Sequence, residues 1–84
     1  MNILIVESRP ELGALWKRLL ERQGKHVPQA AGQQEAVTFL SDHGADIIVL
    51  DLVLADGSAL AVSDFASYRH PNARVSFVTD TTFF

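Results

Sequence analysis

Two short runs constrain the fold of this chain more than anything else in it: Ile3-Leu4-Ile5-Val6, and Ile47-Ile48-Val49-Leu50 within "DIIVLDLVLADG". Neither alternates apolar with polar residues, so neither offers a face to water. Both are too short for a helix and rich in β-branched residues, the pattern of strands covered on both sides in a parallel sheet. The second run raises a further question, because it closes on Asp51 with more apolar residues after it. A bare carboxylate is costly among such neighbours unless something pairs or solvates it.

The segments around these runs carry helical spacing. Ser8-Arg9-Pro10-Glu11 has the form of a capping box with proline in the first turn, which predicts Ser8 as an N-cap. Leu12, Leu15, Trp16, Leu19 and Leu20 follow at helical intervals, and Gly24 supplies the stop. His26 to Ala30 reads as a second strand, at an edge because of Pro28. Gln33 to about Asp42 is a second helix, with Ala36, Val37, Phe39 and Leu40 as its apolar positions. Asp56-Gly57-Ser58 marks a turn, and Ala59 to Tyr68 a third helix with Val62, Phe65 and Ala66 inward. Arg74 to Thr79 is a fourth strand after the break at Pro71-Asn72. The order β-α-β-α-β-α-β predicts an α/β, three-layer, doubly wound parallel sheet with right-handed crossovers.

Composition narrows the function classes. With 84 residues the chain is at most one small domain, and its hydrophobic share of 48% suits a soluble globular protein. Seven basic and ten acidic residues give a net charge of -3 without a Lys/Arg run, which argues against nucleic-acid binding. The absence of cysteine excludes disulfides, thiolate metal sites and a cysteine nucleophile. The first apolar run is short and ends at Glu7, unlike a signal peptide or a membrane span, so a cytoplasmic location is expected.

In an open parallel sheet, ligands bind beyond the carboxyl ends of the strands, where strand order reverses. Glu7, Asp51 and Thr79 stand at three such ends. If the first and third strands are neighbours, Glu7 and Asp51 converge, with Thr79 alongside. Two carboxylates suit a hard cation such as Mg²⁺. A carboxylate can also attack phosphorus to form an aspartyl phosphate, and a threonine hydroxyl can donate to a phosphoryl oxygen. The structural alternatives are a turn or capping role for Asp51, a helix-dipole partner for Glu7 and plain strand propensity for Thr79. Trp16 and Phe39 are expected in the core.

"ILIVES", "IIVLDLVLADGSAL" and "VSFVTD" together resemble the receiver domain of two-component response regulators, over residues 2 to 80. The resemblance implies a flavodoxin-like strand order and a signalling module rather than an enzyme. It also implies a phosphoryl group passed to Asp51 from a histidine kinase or phosphotransfer protein, with Mg²⁺ held through Glu7 and Asp51. Three departures accompany it. Ser8 stands where the family has a second acid, and Ala55 where it usually has proline. The family's fifth strand, its lysine and its last helix do not lie within these residues, and Thr81-Thr82-Phe83-Phe84 ends the segment right after the fourth strand. Residues 1–84 are therefore expected to be a receiver-like domain incomplete at its C-terminus, with self-association through the exposed fourth strand. On charge, Glu7 and Asp51 leave Mg²⁺ as the only cation, so an alternative is a pseudo-receiver that binds proteins without phosphorylation. A nucleotide-binding enzyme fragment fits poorly, because no glycine-rich phosphate loop follows the first strand.

Overall fold

The computed structural model describes residues 1–79. Its elements follow in the order β1 (Ile3–Val6), α1 (Pro10–Glu21), β2 (Gln29–Ala30), α2 (Gln33–Asp42), β3 (Ile47–Asp51), α3 (Ala59–Arg69) and β4 (Arg74–Val78). The final segment Thr81-Thr82-Phe83-Phe84 lies outside the described residues. The four strands form one parallel sheet in the order β2-β1-β3-β4. After β1 the chain steps one way to β2, then reverses across β1 to β3 and continues to β4. With right-handed crossovers, that reversal puts α1 on one face and α2 and α3 on the other. The doubly wound architecture expected from the sequence is thus present.

The apolar runs behave as strands sealed on both sides. All four residues of β1 are buried, as are Ile48 and Leu50 of β3. Leu4, Val6, Ile48 and Leu50 share one core with Ala36 and Leu40 of α2 and with Ala59, Val62 and Ala66 of α3. Each large side chain enclosed this way contributes about 1.5–3 kcal/mol of transfer free energy. Phe39 packs at the edge of this core and stacks on His43 at 4.8 Å between ring centroids. Trp16 is half-buried, as are Leu12 and Leu20, whereas Leu15 and Leu19 are exposed. α1 therefore rests on its 12-16-20 row rather than on the whole apolar stripe.

The second strand is shorter than the sequence suggests. Only Gln29 and Ala30 join the ladder, and His26 makes an isolated bridge to Asn2. Pro28 has no N–H to give, but its carbonyl accepts from the Ile5 N–H at 3.0 Å, as an edge position allows. Lys17 anchors the approach to β2 by donating to the Val27 carbonyl at 2.6 Å.

One expectation needs correction. Ser8 is not the N-cap of α1; that position is Arg9, and no side chain caps the helix. The residue before a proline is held in the extended region, and Arg9 sits there at φ -89° and ψ 110°. The Ser8 hydroxyl instead joins two loops. It donates to the Ala31 carbonyl at 2.7 Å and accepts from the Ala55 N–H at 2.8 Å.

Candidate functional site

Parallel pairing of β1 with β3 brings the two acids to the same edge of the sheet. Val6 pairs with Leu50, so Glu7 and Asp51 are the next residues in register. Backbone bonds hold both positions: the Glu7 N–H donates to the Ala30 carbonyl at 3.0 Å, and the Leu52 N–H to the Val78 carbonyl at 2.9 Å. Both residues are 2% exposed, the only buried charged groups among the described residues. A carboxylate buried to that degree needs donors or cations.

Arg9 supplies the cation. Its Nε lies 3.2 Å from Glu7 Oε2 and its Nη2 lies 3.4 Å from Asp51 Oδ2, so one guanidinium spans both carboxylates. The Arg9 backbone N–H also donates to Glu7 Oε2, at 3.0 Å. Backbone and side chain of Arg9 thus both meet the Glu7 carboxylate. The sequence reading missed Arg9, and counted no cation here except a metal. Its signal was present in the E-S-R-P order, where the proline restricts the backbone of the preceding residue to the extended region.

The remaining carboxylate oxygens differ from one another. Asp51 Oδ1 accepts from the Val53 N–H at 2.9 Å, which turns the chain sharply after β3. Glu7 Oε1 is buried and makes no hydrogen bond. Arg9 and Asp51 open onto a cleft of about 480 Å³, lined also by Ser8, Thr79 and the loop residues Val53, Leu54 and Ala55. Thr79 thus shares the cleft with Asp51, while Glu7 lies inside and meets it through Arg9.

The loop after Asp51 is tied down by a second set of contacts. Gln33 Oε1 accepts from the Ser58 N–H at 2.8 Å, and the Gln33 N–H donates to the Asp56 carbonyl at 3.0 Å. A Cβ at Gly32 would stand 2.8 Å from Asp56 Cβ, so only glycine lets the loops approach this closely. Gly57 has φ +82°, and a Cβ there would run into the Gln33 side chain. With the Ser8 bridge, these contacts hold residues 52–58 against the entry to α2.

The donor set fits a hard divalent cation in its chemistry. Mg²⁺ is usually held by one or two carboxylates with water completing its shell, and Glu7 Oε1 is a buried acceptor that nothing satisfies. No cluster of three or more Asp, Glu or His residues suited to a metal occurs among the described residues. His26, His43 and His70 lie apart from the cleft; His70 Nε2 is 2.6 Å from the Leu40 carbonyl oxygen. No helix among the described residues is long and apolar enough to cross a membrane.

No protein-family model matches the chain. The response regulator protein PilR of Pseudomonas aeruginosa is 30% identical over 76 residues, which cover 90% of this chain and 17% of PilR. A response regulator from Burkholderia pseudomallei, solved with a phosphorylated aspartic acid, a calcium ion and citrate, superposes with a TM-score of 0.89 at 28% identity. That match covers 93% of this chain and 46% of the other. The non-phosphorylated receiver domain of HemR from Leptospira biflexa gives 0.87 at 29% identity, over 95% of this chain and 64% of its own. The chain thus spans less than a fifth of PilR and under half of the Burkholderia protein. In strand order and in likeness to these proteins, the chain is similar to the receiver domains of response regulators.

Proposed function

We propose that residues 1–84 are part of a receiver domain in which Asp51 accepts a phosphoryl group from a histidine kinase or phosphotransfer protein in the cytoplasm. The observation that carries this reading is the position of Asp51: it closes the central strand β3, faces a cleft it shares with Thr79, and has a second buried acid beside it. An Asp51 oxygen would form the new O–P bond as the P–N bond of a phosphohistidine breaks, its electron pair leaving with the imidazole. The Thr79 hydroxyl would donate to a phosphoryl oxygen. Glu7 and Asp51 would hold Mg²⁺, which when bound supplies positive charge toward the phosphoryl oxygens. The module acts in signalling, through the state of one side chain rather than through turnover of a substrate.

A second reading, an interaction module independent of phosphorylation, draws support from the burial of Asp51 and its pairing with Arg9. Intact-mass measurement after incubation with a small phosphodonor and Mg²⁺ separates the two. A phosphate adduct is expected on the unmodified chain and not on Asp51→Asn. An equal adduct on both would exclude Asp51 as the acceptor, and none on either would favour the interaction module.

Self-association belongs to the same proposal. β4 is an edge of the sheet among the described residues, and Phe77 on it is 44% exposed. An unpaired apolar edge recruits a further strand, here from a second copy. Light scattering of the 84-residue chain should show the mean mass rising with concentration; a constant monomer mass would refute this.

A further inference from the structure

We infer that Arg9 is the resident counter-cation of the Asp51 cleft, and that a divalent cation binds there only by displacing its guanidinium. The inference rests on the reading of Glu7 and Asp51 as metal ligands. The guanidinium engages one oxygen of each acid, Glu7 Oε2 at 3.2 Å and Asp51 Oδ2 at 3.4 Å, so it already occupies the two acids that would hold a metal. Among the described residues, the guanidinium already offsets part of the charge of these two acids. A divalent cation added to that set would face a second positive group a few ångströms away, where little water screens the repulsion. The two cations therefore exclude one another.

The geometry also shows how the exchange would proceed. The Arg9 side chain is 46% exposed, against 0% for Glu7 and 3% for Asp51, so an exchange would move the solvent-facing cation and leave the buried acids in place. Its backbone need not move, because Pro10 holds residue 9 extended and the Arg9 N–H can remain on Glu7 Oε2. Glu7 Oε1, buried and without a hydrogen-bond partner, points to a ligand beyond the arginine. A guanidinium satisfying only part of Glu7 is a poor final partner for a buried acid.

The test is calorimetric titration of Mg²⁺ into the unmodified chain, Arg9→Gln and Arg9→Lys. Arg9→Gln should bind about tenfold tighter or better, the change expected when a charge-assisted pair no longer opposes the metal. Arg9→Lys should fall between, because an ammonium is a point charge that cannot bridge both acids as a planar fork does. Removing the arginine leaves two buried acids unpaired, so the variant can be partly unfolded without metal. Urea midpoints with Mg²⁺ and with EDTA cover that case, since a ligand that binds only the folded state stabilises it. Mg²⁺ should raise the midpoint of Arg9→Gln, or restore its fold, far more than it raises that of the unmodified chain. Equal affinities with equal midpoint shifts would overturn the inference, and so would a failure of Arg9→Gln to bind Mg²⁺ at all. The adduct assay on Asp51 reads the phosphoacceptor proposal separately, so either idea can fail while the other stands.

Discussion

Leu50→Ala is expected to cost about 2–5 kcal/mol, the range for truncating a fully enclosed leucine. Leu50 is 0% exposed, pairs with Val6 on one side and Phe77 on the other, and lies one residue before Asp51. Its core neighbours come from the sheet and from two helices, so the cavity cannot close by moving a single element. A chain of 84 residues has a total stability of about 4–13 kcal/mol at roughly 0.05–0.15 kcal/mol per residue. The loss is thus a large part of the whole, and a substantial unfolded fraction should appear at 25 °C. Urea titration followed by circular dichroism should show the midpoint falling steeply. Leu60→Ala is the control, since Leu60 on α3 is 65% exposed and its midpoint should barely move. A loss at Leu50 no larger than that at Leu60 would contradict the packing of β3 against α2 and α3.

The strands were legible because burial on both faces leaves a plain mark: "ILIV" and "IIVL" have no polar side to hide. Once those two runs are neighbours, the convergence of Glu7 and Asp51 follows from register alone, and the sequence contained it. What the sequence concealed depends on partners far along the chain. The Ser8 hydroxyl bonds to residues 23 and 47 positions away, and no local pattern announces either. Its place before Pro10 and Glu11 imitated a capping box, but the cap fell to the pre-proline residue, whose backbone is restricted for a separate reason. Arg9 was overlooked because a surface arginine near a helix start usually reads as solvated. Its role emerges only when the strand order brings Asp51 within reach. On α1, five apolar residues at helical spacing implied a wider buried face than the half-buried 12-16-20 row, because a pattern reports which residues are apolar and not how much sheet lies beneath them.

Ser8→Asp tests the loop bridge and the cleft charge together. In EDTA the substitution should destabilise the chain by about 1–3 kcal/mol, the range for disrupting a hydrogen-bonded polar group. A carboxylate can still accept from the Ala55 N–H, but it has no proton to give the Ala31 carbonyl and is repelled by that oxygen. It also lines the cleft that Asp51 and Arg9 share, adding one negative charge there. Ser8→Ala separates these effects: it loses both hydrogen bonds at about 0.5–1.5 kcal/mol each, but adds no charge. With Mg²⁺ present the two variants should diverge. The third acid gives the metal another oxygen, so Ser8→Asp should regain stability and bind Mg²⁺ more tightly than the unmodified chain, whereas Ser8→Ala should not. The gain should shrink at high salt, because part of it is long-range attraction. Urea midpoints in EDTA and in Mg²⁺, at low and high salt, provide the readout. A Mg²⁺-induced midpoint shift for Ser8→Asp no larger than that of the unmodified chain would mean that residue 8 does not face the metal-binding side of the cleft, leaving its hydroxyl only the task of joining the loops.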